Sequence, residues 1–327
     1  MDVKLCINKP KVNRIGLEAL IYEYKYGRYC EDRSLPLEQS QHLLIDRLST
    51  LITQPGFQSI AAYSLSEELL GFLLFRISKW DSEQFGYNVV IIESIISKSL
   101  GYEQELEIVD ALIEKFLTWC ETSRIRFTSV RVPSLNLPVV HSLERWGFHY
   151  IENCIVNKFH LSRLNGFIKP PLSLRLARQD DLDCMLDYSR DAFSTHRFHA
   201  DAHITGNQAN SLYEKWILSA FNDPNQEILV CDIESKCAAF MIYYRSDLRQ
   251  YFGLRFAMWK MALLDPQNRS KGLGTDFFIA LMYHHEEEGL DVVDSGLTTR
   301  NIDSLNLHIK LNFKVITTLV TFHKWFS

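Results

Sequence analysis

The residues best suited to chemistry lie in one run, Leu263-Leu264-Asp265-Pro266-Gln267-Asn268-Arg269-Ser270-Lys271-Gly272-Leu273-Gly274-Thr275. A strand pattern stops at Pro266, a polar loop carries Arg269 and Lys271, and two glycines open a helical pattern. The first N–H groups of a helix have no partner within it, and the helix dipole adds partial positive charge there. Glycine removes the Cβ atoms that would hold a phosphate away from the backbone. These features together are the physical recipe for a pyrophosphate cradle; a plain tight turn is the competing reading. No Gly-Lys-Ser/Thr follows, so the run is not a P-loop. A single Gly-x-Gly this late in the chain is not a dinucleotide fingerprint either.

Other clusters are less specific. Arg197, Phe198, His199, Asp201 and His203 share one polar stretch. A guanidinium there can grip a phosphate bidentately, or simply fix the loop through an internal ion pair. His284, His285, Glu286, Glu287 and Glu288 look like a metal patch but fall near the end of a long helical pattern, which reads as a solvated face. The seven cysteines show no Cys-x-x-Cys spacing. Reduced, mostly buried thiols are expected, with no disulfide framework and no metal site.

Elements must position these groups. Leu172–Arg178 alternates as a strand, and Asp180-Asp181 is placed to cap a helix to about Ser194. A helix over about 207–220 follows the polar loop. Strands are expected at Glu227–Ile233, Cys237–Tyr244 and Ala257–Leu264. The helix Gly272–Glu288, the strand Leu290–Gly296, the short helix Asn301–Leu311 and one or two strands over Lys314–Trp325 close the order. The first half ends alike: strands at Leu70–Ile77 and Val89–Ile96, a helix at Glu105–Cys120, a strand at Phe127–Val132 and a helix at Leu137–Trp146. Residues 136–148 and 301–313 each run from Asn through a short helix to Phe, a weak internal repeat. The expected fold is mixed α/β (α+β) with a central mixed sheet.

The chain has 327 residues, 46% hydrophobic and 23% charged, which excludes a disordered chain and suggests two domains. The prolines of Asn165–Pro171 mark the linker, giving domains 1–165 and 166–327. A net charge of -5 offers no field for a nucleic-acid backbone. The N-terminus lacks an apolar signal core, and no run reaches the ~18 apolar residues of a membrane span. A cytoplasmic protein is expected, with neither nucleic acid nor membrane as partner.

Pro266 to Gly274, with Arg269-x-x-Gly272-x-Gly274, resembles the acetyl-CoA pyrophosphate motif of the GCN5-related N-acetyltransferases. Asn301, Ser304, Leu307 and Phe313 match the second motif of that superfamily. A narrower resemblance, to dTDP-fucosamine acetyltransferases, rests on Leu174-Arg175-x-Ala177-Arg178-x-x-Asp181, Ala192-Phe193, Arg197-Phe198, Asp201, Leu212-Tyr213 and Trp216. In the first half, Trp80 to Gly86 is similar to that family's N-terminal Trp-x-x-x-x-Phe-Gly segment.

The resemblance implies tandem acetyltransferase-like domains, the first degenerate and the second active. It implies an acetyl-CoA-dependent N-acetyltransferase acting on a nucleotide-linked amino-deoxy sugar of the dTDP-4-amino-4,6-dideoxyhexose type, in surface polysaccharide synthesis. Ala262, Leu263 and Leu264 would pair with the pantetheine arm. Arg269, Ser270, Lys271, Gly272, Leu273, Gly274 and Thr275 would hold the pyrophosphate, with Asn301 and Ser304 near the acetyl end. Arg197, Phe198, Asp201 and Tyr213 would meet the acceptor, and a homodimer is one possible assembly. His308 stands where the family carries a tyrosine as general acid to the thiolate; an imidazole N–H is a candidate substitute. Asn312 replaces the motif's glycine, and asparagine also tolerates positive φ. The alternatives are another small amine or a peptide N-terminus as acceptor, or an inactive acyl-CoA-binding protein.

Overall fold

The computed structural model describes residues 4–7, 12–190, 192–269 and 271–326, with side chains from residue 12 onward. The chain divides into two compact units, residues 1–153 with 317–327, and residues 154–316. The first contains β1 (Lys4–Ile7), α1 (Arg14–Ile21), α2 (Leu37–Thr53), β2 (Phe57–Tyr63), β3 (Leu69–Ile77), α3 (Lys79–Phe85), β4 (Val89–Ser97), α4 (Tyr102–Thr122), β5 (Phe127–Pro133) and α5 (Leu137–Arg145). The strand β6 (His149–His160) leads into the second unit. There follow β7 (Leu174–Leu176), α6 (Leu182–Ser189), α7 (Arg197–Ala200), α8 (Gly206–Asn222), β8 (Glu227–Ile233), β9 (Lys236–Leu248), α9 (Arg249–Phe252), β10 (Leu254–Leu264), α10 (Leu273–Glu287), β11 (Val292–Thr298) and α11 (Ile302–Lys310). The last strand, β12 (Lys314–Trp325), returns to the first unit.

Strand order in the first unit is β1-β2-β3-β4-β5-β12, with only β4 and β5 parallel. In the second it is β6-β11-β10-β9-β8-β7, with only β10 and β11 parallel. The two orders correspond strand for strand, so the short repeat at 136–148 and 301–313 is the visible part of a larger one. The division differs from the expected one at residues 165/166. β6 aligns with β11 from Thr298↔Cys154 to Val292↔His160, and β12 with β5 from Leu319↔Pro133 to Trp325↔Phe127. Each half therefore ends in the other unit's sheet. The proline linker does not separate units; it is tied to α10, where the Tyr283 hydroxyl donates to Phe167 O at 2.7 Å.

Apolar burial follows the helical periods. Val109, Leu112, Ile113 and Phe116 of α4 are buried against the first sheet, and Leu106 is buried as well. Phe277, Phe278, Leu281 and Met282 of α10 are buried against the second. Two expectations need correction. His285 does not share a solvated face: it is fully buried and accepts a 2.9 Å hydrogen bond from Trp259 Nε1, which ties α10 to β10. Desolvation, with His284 and Arg245 nearby, pushes its pKa down to about 3. Asp181 does not cap α6 with its side chain; its carboxylate takes both Arg175 terminal nitrogens (2.6 and 2.8 Å) and Arg178 N (2.7 Å). The bidentate guanidinium and the upstream amide together engage both carboxylate oxygens, turning them away from the amides of α6.

Candidate functional site

Parallel pairing between β10 and β11 runs only from Phe256↔Val292 to Trp259↔Ser295. At the next position Lys260 bulges out of the ladder between β10 and β9. Beyond the bulge, Met261–Leu264 keep their partners on β9 and Gly296–Thr298 keep theirs on β6, but the two segments do not pair with each other. The fork opens a cleft of about 490 Å³. Lys260 to Leu264 line one wall, and Ser295 to Thr298 another. Gly274 and Phe278 of α10, with Asn301, Ser304, Leu307 and His308, close it. Backbone polar groups facing such a gap need a partner. An extended chain with amide groups can supply one by adding as a strand.

At the mouth, the two glycines have different reasons. Gly272, the N-cap of α10, has φ +88°, a left-handed conformation that only glycine adopts at low cost. Gly274 has ordinary φ, and a Cβ there would meet Leu264 Cδ2 at 3.5 Å and Leu307 Cδ2 at 3.8 Å. That is tolerable packing, so what glycine keeps free at 274 is the cleft itself. Lys310 Nζ donates to Thr275 Oγ1 at 3.1 Å, placing a third cation beside Arg269 and Lys271 at the helix start. Arg269 leans on Leu264 O at 3.4 Å, Lys271 is exposed, and Leu273 is buried beneath the turn. Ser270 lies outside the described residues.

Asn301 caps α11, its Oδ1 accepting from Ser304 N at 3.1 Å, which leaves the amide NH₂ for other partners. Asn312 has φ +60°, so the turn after α11 takes the conformation of the glycine it replaces. His308, only 4% exposed, packs against the rings of Phe278 and Phe313. Its Nδ1 lies 2.7 Å from Ser304 O and its Nε2 3.0 Å from Ser295 Oγ. A carbonyl only accepts, so Nδ1 carries the proton and Nε2 accepts from the Ser295 hydroxyl. Burial lowers the His308 pKa, opposed by the Ser304 carbonyl, and the ring is neutral at neutral pH.

The loop before α8 reaches the cleft through Ala192, Phe193 and His196. Arg197, Phe198, Asp201 and Tyr213 are not among the lining residues. Tyr213 is buried and stacks under Phe193, with centroids 4.2 Å apart. Phe198 is buried below the Arg197 guanidinium at 4.6 Å, and Asp201 accepts from His203 N at 2.9 Å. The sequence offers Phe193 only as part of the family resemblance, and it singles out neither Ser295 nor His196. Ser295 ends the stretch of β11 that pairs in parallel with β10, and open α/β sheets bind ligands where parallel pairing stops. Among the described residues, no group of three or more His, Cys, Asp or Glu is arranged to hold a metal ion. No described helix is long and apolar enough to cross a membrane.

The sequence matches no protein-family model. It is 18% identical over 260 residues to the spore coat polysaccharide biosynthesis protein SpsD of Bacillus subtilis (strain 168), covering 80% of this chain and 86% of that one. Among solved structures, a tandem GNAT protein from the clavulanic acid biosynthesis pathway superposes with a TM-score of 0.60 at 12% identity, covering 99% of this chain and 98% of the other. A GCN5-related N-acetyltransferase from Sphaerobacter thermophilus gives 0.60 at 10% identity, covering 98% and 95%. The chain thus has the fold of the tandem GCN5-related N-acetyltransferases.

Proposed function

We propose that the second unit is an N-acetyltransferase that moves an acetyl group from acetyl-CoA to a primary amine, and that the first unit is a degenerate copy. The carrying observation is the fork between β10 and β11, aligned with the glycine-opened start of α10. The residues present fit an acyl-CoA. Met261 to Leu264 offer an unpartnered strand edge to the pantetheine amides. The α10 N-terminus with Arg269, Lys271 and Lys310 suits the pyrophosphate. Gly274 leaves the passage between them open, and Asn301 and Ser304 line the same cleft. Bound there, the thioester supplies an activated acyl carbon and a thiolate leaving group.

The acceptor we propose is the amine of a nucleotide-linked amino-deoxy sugar of the dTDP-4-amino-4,6-dideoxyhexose type. The similarity to a polysaccharide biosynthesis protein supports this class. So does the wall formed by Phe193 and His196, an aromatic surface with a hydrogen-bonding edge. Arg197 sits in the same loop, where a phosphate-bearing acceptor needs a cation. Thermal-shift screening with acetyl-CoA and then dTDP-amino sugars tests both parts. A ligand at 100 times its Kd adds about 2.7 kcal/mol of stability. Stabilisation by acetyl-CoA but by no amino sugar sinks the acceptor; stabilisation by neither sinks the whole reading.

A further inference from the structure

We propose that Ser295 and His308 form a proton relay, in which Ser295 meets the reacting atoms and His308, behind it, stores the proton. The inference rests on the acetyltransferase reading and supplies the base that the sequence did not reveal. Ser295 Oγ lies at the crotch of the fork, on the last residue pair before β10 and β11 part. It lines the cleft, and its hydroxyl proton is directed onto His308 Nε2 at 3.0 Å. The ring is locked in that tautomer by the 2.7 Å bond from Nδ1 to Ser304 O, and held in orientation by Phe278 and Phe313. A serine backed by a neutral, correctly oriented imidazole is arranged to take a proton. At rest His308 presents a lone pair toward the cleft side, so it starts as a base and not as an acid.

The balance closes without a further reactant. The amine nitrogen forms its bond to the acyl carbon and gives one proton to Ser295 Oγ, which passes its own to His308 Nε2. As the carbon–sulfur bond breaks, with its electron pair leaving on sulfur, His308 returns that proton to Ser295, which delivers one to the sulfur. One proton moves from nitrogen to sulfur, and both side chains end as they began. Burial, which makes the imidazolium costly, favours prompt return. The groups around the ring are Ser295 from β11, Phe278 from α10, Ser304 from α11 and Phe313 before β12. The charged side chains lining the same cleft are Lys260, Arg269 and Asp303.

The experiment has three arms on the full chain. Imidazole ¹⁵N NMR of the protein alone should show His308 neutral at pH 7 with the proton on Nδ1; an Nε2–H or imidazolium signal overturns the relay. Ser295→Ala should lower kcat about 10²-fold, with the acetyl-CoA Kd unchanged by calorimetry. Ser295→Thr, which keeps a hydroxyl, should recover part of the loss. His308→Gln should remove from the kcat profile, measured at saturating acetyl-CoA and dTDP-4-amino-4,6-dideoxyhexose, the acid-side group that titrates below an ordinary histidine. Wild-type turnover by Ser295→Ala, in a protein that binds acetyl-CoA and acetylates the amine, overturns the relay alone. Failure of the wild type to bind acetyl-CoA overturns the underlying reading instead. An acetyl group found on Ser295 by mass spectrometry after incubation with acetyl-CoA would replace the relay with a covalent route.

Discussion

Asn301 and Asn136 hold corresponding places in the two units at nearly the same backbone angles, φ -89° and ψ 79° against φ -82° and ψ 73°. Each opens a nine-residue helix, and each helix is followed by a residue at positive φ, Asn312 at 60° and Gly147 at 74°. The resemblance extends to the bulge, Lys260 on β10 and Glu93 on β4. It fails at the helix start, where the second unit has the turn that we propose holds a phosphate.

At the start of α4, Glu105 Oε1 accepts from Gly101 N at 3.3 Å and Oε2 from Ser97 Oγ at 3.4 Å. A carboxylate already satisfies this helix start and repels a second anion. The Tyr24 hydroxyl also lies beside Asn136, its pKa raised by burial. Calorimetric titration with acetyl-CoA should therefore give one site per chain. A stoichiometry of two contradicts the assignment of the first unit as degenerate.

The two glycines at the cradle should separate by mutation. Gly274→Val adds carbon atoms to the cleft while its Cβ finds ordinary packing distances. It should weaken acetyl-CoA at least tenfold with little change in Tm. Gly272→Ala forces an L side chain into φ +88° and should cost about 1–2 kcal/mol of stability. If Gly274→Val binds acetyl-CoA as tightly as the wild type, the cofactor does not pass that point.

What local sequence made legible was the glycine-opened turn before α10 and the order of elements around it. Pro266, Gly272 and Asn301 act through their own backbone conformations, so their roles can be read where they stand. The exchange of β6 and β12 was not legible, because alternation identifies a strand and not its partner. His285 was misread because the charged run around it hid the core face of α10: the i-4 and i-3 positions, Leu281 and Met282, are both buried. Ser295 left no local mark, since its importance comes from a histidine 13 residues away and a strand that stops pairing beside it.

The wall of Phe193 and His196 should govern the acceptor and not the cofactor. His196→Ala trims the edge that reaches the cleft, while the Phe193–Tyr213 stack beneath stays in place. The acceptor KM should rise several-fold, with the acetyl-CoA Kd unchanged. Equal losses in both would place His196 against the cofactor.

The Trp259–His285 pair makes a prediction about stability that is independent of activity. In the folded protein the His285 pKa is pushed down to about 3, against about 6.5 in an unfolded chain. Between those values the unfolded state binds the extra proton. Stability is therefore complete above about pH 6.5 and declines as the pH falls toward 3, by up to about 1.4 kcal/mol per pH unit from this one group. Urea unfolding at a series of pH values should show that decline. His285→Gln keeps an acceptor for Trp259 Nε1 but cannot titrate, so its decline should be shallower by the histidine's share, the remainder coming from other groups such as His308. Parallel curves for the two proteins would mean that His285 binds its proton equally in both states and is not held neutral in the core.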